Sequence, residues 1–134
     1  MNCTNPTGGG VRNDRVGAGF WGAARGSRKH KGVDLLLPRG VGQEVIAPHP
    51  SLVKRHSLPY PSDERYLGVV LQGASFESFL WYLEPIDELI GQQVSMGQVI
   101  GYAQDISKKY GNGCLPHIHW QIGEHGEIDP LILL

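Results

Sequence analysis

The sequence predicts a mainly β protein: a single domain built on an antiparallel β-sheet or sandwich-like fold, with long loops and little helix. Three observations carry this expectation. Nineteen glycines and nine prolines punctuate the 134 residues at short intervals, which disfavours long helices. The runs between them are short, apolar and strand-like. The clearest periodic segment, His117–Ile122, alternates with period two and not with the helical period.

Taken in order, the chain opens on an irregular arm, residues 1–18, rich in glycine and polar residues. Strands are then expected at Val33–Leu37, Glu44–Ala47, Leu52–His56, Leu67–Gln72, Phe79–Leu83, Val99–Ala103 and His117–Ile122. In Gly91–Gly101 the spacing of Gly91, Gly97 and Gly101 suits tight turns where strands double back. Ile106–Tyr110 reads as a short helix or turn. The insert His56–Tyr66, rich in proline and charge, is expected to wall one side of a cleft. There are no repeats and no second domain.

Composition narrows the function classes. Hydrophobic residues make up 40%, enough for one modest core. A net charge of -1 gives no electrostatic case for nucleic acid. No apolar run is long enough to span a bilayer. Met1–Gly10 has no basic segment followed by an apolar one, so it does not read as a secretory signal. That leaves a mature fragment, a phage-borne or virion component, release to the cell wall by another route, or residence inside the cell. Cys3 and Cys114 read as unrelated thiols, with one long-range disulfide open in an oxidising compartment. His49, His56 and His125 have no spacing partner and read as surface or loop histidines. The sequence assigns no oligomeric state.

The residues that carry chemistry are His30-Lys31-Gly32-Val33-Asp34 and His117-Ile118-His119. Asp34 begins an apolar run, where a carboxylate needs a cation or a metal; pairing with an arginine is the simpler alternative. His117, His119 and Gln121 share one face of their strand, opposite Ile118, Trp120 and Ile122. Side chains two apart on a strand stand about 7 Å apart, too far for both histidines to grip one zinc ion easily. One should therefore ligate, with the other just beyond as a general acid or base. Cys114, three residues before His117, is a further ligand candidate for a closed structural site.

These two motifs resemble the lysostaphin-type zinc metallopeptidases. Val45-Ile46-Ala47-Pro48, the Gly91–Gly101 segment and Asp129-Pro130 extend the likeness over residues 19–134. The resemblance implies one Zn2+ per chain held by His30, Asp34 and His119, with His117 as catalytic base or transition-state stabiliser. It also implies cleavage of peptides in bacterial peptidoglycan. The sequence departs from the family at Leu80-Trp81-Tyr82-Leu83, where Tyr82 stands in place of a second catalytic histidine. Tyrosine is no base at neutral pH, since its ordinary pKa is about 10, but its hydroxyl can donate to a developing oxyanion. Tyr82 with Pro85-Ile86, and the run Arg12…Asp14…Gly17…Gly19, are similar to a branch represented in vertebrates by leukocyte-cell-derived chemotaxin, regarded as non-enzymatic. The resemblance thus implies a zinc endopeptidase using His117 and Tyr82, with a zinc-containing binding or signalling module as the alternative.

Overall fold

The computed structural model describes residues 2–134. A six-stranded antiparallel sheet dominates. Its members are β3 (Val33–Leu36), β5 (Ser51–His56), β6 (Gly68–Gln72), β7 (Glu77–Trp81), β9 (Gln93–Val94) and β11 (His117–Ile122). The spatial order is β3-β11-β7-β6-β5-β9. Three further strands, β4 (Glu44–Ile46), β8 (Leu83–Pro85) and β10 (Val99–Ala103), form a second sheet in the order β4-β10-β8. A small hairpin, β1 (Ala24–Arg25) with β2 (Arg28–Lys29), stands apart. The one α-helical turn among the described residues, α1 (Ser107–Tyr110), lies where a helix or turn is expected. No helix among the described residues is long and apolar enough to cross a membrane.

Both sheets contribute to one core. Val33, Leu35, Leu71, Leu80, Ile118 and Trp120 from the large sheet pack with Val45, Leu83 and Ile100 from the small one. Every apolar member of the Ile118–Trp120–Ile122 face is buried there, as its alternation requires.

Six of the seven expected strands are present within a residue or two, and the seventh is split. The β1–β2 hairpin, β8 and β9 are additional, and the first and last of these are only two residues per strand, too short for a periodic signal. Phe79–Leu83 is not one strand. It breaks at Tyr82, whose φ of +73° lies in the left-handed region that a bulky residue rarely occupies. At this break the chain leaves the large sheet and, as β8, pairs with β10 of the small one. The Tyr82 N–H donates to the Leu67 carbonyl and its own carbonyl accepts from Gln104, each at 2.8 Å, which stabilises the corner.

Cys3, within the irregular arm, is buried, and its N–H donates to the Leu133 carbonyl at 2.6 Å. Cys3 and Cys114 are both free thiols. His49 is not a surface histidine, being 1% exposed. Its Nε2 lies 2.7 Å from Ser78 Oγ, which also accepts the Trp120 indole N–H at 3.0 Å. Ser78 therefore donates to Nε2, and Nδ1–H donates to the Pro50 carbonyl at 3.1 Å. The neutral ring is thus hydrogen-bonded at both nitrogens.

Burial accordingly holds the His49 pKa below its ordinary value, against the opposing hydrogen bond to Pro50. The unfolded chain then binds more protons than the folded one once pH falls through about 6.5, so stability declines toward acid. The urea midpoint of the wild-type chain should fall between pH 7 and pH 5. His49→Gln should flatten that slope by up to roughly 1.4 kcal/mol per pH unit; parallel slopes would refute the assignment.

Candidate metal centre

The site is built on the register between β3 and β11. Asp34 pairs directly with His119, and His119 with Trp81 of β7, which in turn pairs with Gly68 of β6. Directly opposed residues project to the same face, so this row crosses the sheet as a strip of cleft floor. The Trp81 indole stacks on the His119 ring, centroids 4.8 Å apart and 13° from parallel. Glycine at 68 makes that possible, since a Cβ there would lie 2.5 Å from Trp81 Cδ1.

His30 reaches the same point from the segment after β2. Its backbone is fixed by N–H donation to Ala23 and by the Gly22 N–H on its carbonyl, both 2.8 Å. Gly32 gives the room: a Cβ at that position would sit 2.7 Å from His119 Nε2 and 2.5 Å from the Trp120 carbonyl oxygen. The His-x-Gly-x-Asp spacing thus places a ligand candidate, a gap for the facing imidazole, and a second ligand candidate.

Hydrogen bonds outside the centre decide which ring nitrogens face inward. His30 Nδ1 is 3.1 Å from the Phe20 carbonyl, which only accepts, so Nδ1 carries the proton and Nε2 a lone pair. The Gln121 amide nitrogen donates to the carbonyls of Gly123 and Glu124 at 2.9 and 3.0 Å. Its oxygen therefore faces His119 Nε2, 3.0 Å away, and accepts a proton from it. His119 Nδ1 is left with a lone pair. It lies 3.1 Å from His30 Nε2 and 3.1 Å from Asp34 Oδ1, while His30 Nε2 lies 3.3 Å from that same oxygen. Among the described residues these three form the one group able to hold a metal ion. Donors at corners of a tetrahedron with zinc-like bond lengths stand about 3.3–3.6 Å apart. The donor set and its spacing fit a zinc ion.

Asp34 is 3% exposed. Burial alone raises its pKa, but its close contacts with His119 and His30 and the nearby His117 outweigh that and hold it well below the ordinary range. Both readings of its charge apply, because Oδ2 also lies 3.2 Å from Arg12 and 3.8 Å from Arg25.

His117 stands just beyond the three. Its Nδ1–H donates to the Leu115 carbonyl at 2.7 Å, which leaves Nε2 open toward the cleft, 3.7 Å from Asp34 Oδ2. Burial pushes its pKa below the ordinary histidine value, partly offset by Asp34, so the ring is neutral and able to accept a proton. Tyr82 sits beside it, rings edge-to-face at 5.4 Å. In regular alternation Tyr82 would point away from Trp81's side; its positive φ swings it back into the cleft. Burial raises its pKa, keeping the hydroxyl protonated.

An open cleft of about 720 Å³ lies above these groups. Arg25, Arg28, Lys29 and Lys31 are among its lining residues, as are Pro59 and Tyr60 of the insert and Tyr110 of α1. The Tyr60 hydroxyl bonds both Tyr82, at 2.9 Å, and Tyr110. Cys114 lines the cleft but stands outside the three-donor group. His56 and His125 are exposed and do not line it. Sequence reasoning missed Tyr60, Tyr110 and the role of Gln121, although alternation had placed Gln121 on the histidine face.

No family model matches the sequence, and no curated protein does. Solved structures do. A chain of the SpoIIQ–SpoIIIAH pore-forming complex aligns with a TM-score of 0.69 at 18% identity, over 99% of this chain and 90% of that one. The catalytic domain of the antimicrobial peptidase lysostaphin from Staphylococcus simulans aligns at 0.60 and 19%, over 87% and 88%. A candidate M23 peptidase from Pseudomonas aeruginosa aligns at 0.57 and 23%, over 99% of this chain but 53% of its own. This chain therefore spans about half of that protein's length.

Gly32→Ala tests the packing of the centre. The added methyl must displace His119, so zinc affinity measured by chelator competition should fall at least about tenfold. The variant should also lose roughly 1–3 kcal/mol of stability in urea denaturation. Unchanged affinity would count against His119 as a ligand.

Proposed function

We propose that this chain, which has the lysostaphin-type fold, is a zinc-dependent endopeptidase acting on peptides of bacterial peptidoglycan. The observation that carries this reading is the convergence of three lone pairs, from His30 Nε2, His119 Nδ1 and Asp34 Oδ1, with both ring protons held on the far sides of the imidazoles. Neutral imidazoles have no hydrogen to place between these atoms, whereas a cation satisfies all three. The peptidoglycan substrate rests on the motif resemblance and on the likeness to lysostaphin.

When bound, zinc polarises a carbonyl oxygen and lowers the pKa of water toward neutrality. The protein supplies the rest. His117 Nε2 accepts the proton of the attacking water and returns it to the leaving amine nitrogen. The Leu115 carbonyl fixes the tautomer this requires. Tyr82 donates its hydroxyl proton to the developing oxyanion, while its oxygen accepts from Tyr60. The open cleft, lined by cationic and aromatic side chains, admits an extended peptide.

A second reading, a zinc-containing binding module, draws on one observation. The Tyr82 hydroxyl already has a partner in Tyr60, so no unsatisfied group marks it as catalytic. The two readings separate on purified cell walls or synthetic peptidoglycan peptides. The zinc-loaded chain should release new amino termini. His117→Ala should lower kcat by about 10²–10⁴-fold with zinc still bound. Tyr82→Phe should lower it by about 10²–10³-fold with KM little changed. Zinc binding without turnover would select the binding module, and wild-type turnover in His117→Ala would remove the mechanism.

A further inference from the structure

Arg12, Asp14, Gly17 and Gly19 of the N-terminal arm have no part in the chemistry above, yet their atoms are tied into the centre. Arg12 is 5% exposed. Its Nε and Nη2 both lie 3.2 Å from Asp34 Oδ2, and its Nη1 donates to Asp14 Oδ1 at 2.8 Å and to the Gly17 carbonyl at 3.1 Å. Asp14 Oδ2 accepts the Leu115 N–H at 2.9 Å, and the Leu115 carbonyl is the group that holds His117 Nδ1. One connected path therefore runs from the Asp34 carboxylate through Arg12 and Asp14 to the His117 ring.

The backbone follows the same route. Arg12 N–H donates to the Asp34 carbonyl and Asp34 N–H to the Gly19 carbonyl, both at 2.8 Å; Gly19 N–H donates to Arg12 at 2.7 Å. A Cβ at Gly19 would lie 2.7 Å from Asp34 Cβ and 3.0 Å from Arg12 Cβ, so only glycine allows the arm to approach this closely.

We propose that the Arg12–Asp14 pair is the positioning unit of the metal centre. Arg12 occupies Oδ2 of Asp34, so the carboxylate offers a cation only Oδ1, the oxygen that faces His30 and His119. A guanidinium beside a divalent ion is repelled by it; Asp14 balances that charge and keeps Arg12 in place. Asp14 also fixes the turn that aims His117. The inference rests on the zinc-site reading given above and deepens it.

Zinc affinity by chelator competition, together with the visible spectrum of the cobalt-substituted chain, tests both. A wild-type chain that binds no zinc overturns the metal-centre reading and this inference with it. Given wild-type binding, cooperatively folding Arg12→Gln should bind zinc about 10–100-fold more weakly. Its cobalt form should show weaker d–d absorption, as Asp34 engages the ion through two oxygens. Wild-type affinity with a wild-type cobalt spectrum in that variant overturns this inference alone. Should Arg12→Gln fail to fold, Asp14→Asn decides. It is isosteric and leaves Arg12 uncompensated beside the ion, so affinity should fall in the same sense, and unchanged affinity overturns the proposal.

Discussion

A single buried carboxylate organises this molecule. Asp34 lies in the interior of an apolar strand, where an isolated charge would be expensive to desolvate. Two histidines meet one of its oxygens and two arginines approach the other. These partners come from widely separated parts of the chain: the arm, the β1–β2 hairpin and the penultimate segment of the fold. Register between β3 and β11 brings His119 opposite Asp34, and the arm reaches Arg12 across the same strand. Satisfying one charge thus constrains how the chain's two ends meet.

Much of this was legible in the residues. Period-two alternation placed His117, His119 and Gln121 on one face and Ile118, Trp120 and Ile122 in the core, and glycine and proline spacing delimited seven strands. What stayed hidden was of two kinds. Two-residue strands leave no periodic trace. Relations between distant segments, such as Tyr60 with Tyr82 and Tyr110, or Arg12 with Asp34, depend on loop paths that no local pattern encodes. His49 shows the opposite failure: without a spacing partner it looked like a surface residue, yet it fills a neutral network beneath β7 and β11.

The cleft is lined by two chemical classes. Cationic side chains from the hairpin and the segment after it, and tyrosines from the insert and α1, share its lining with the candidate centre. Lys109 joins the tyrosines, lying 4.4 Å over the Tyr60 ring and 3.4 Å from Asp63. The floor is the large sheet, whereas these surrounding side chains come from the small hairpin and the segment after it, the insert and α1.

Tyr82 occupies the corner at which the polypeptide passes from the large sheet to the small one. A side chain rooted at such a junction inherits its orientation from both layers at once. Any sliding of one layer over the other moves that phenol relative to His117, whose own strand belongs to the large layer alone. The distance between these two groups is in effect a gauge of how the layers are stacked, which couples core packing far from the cleft to the alignment of its floor.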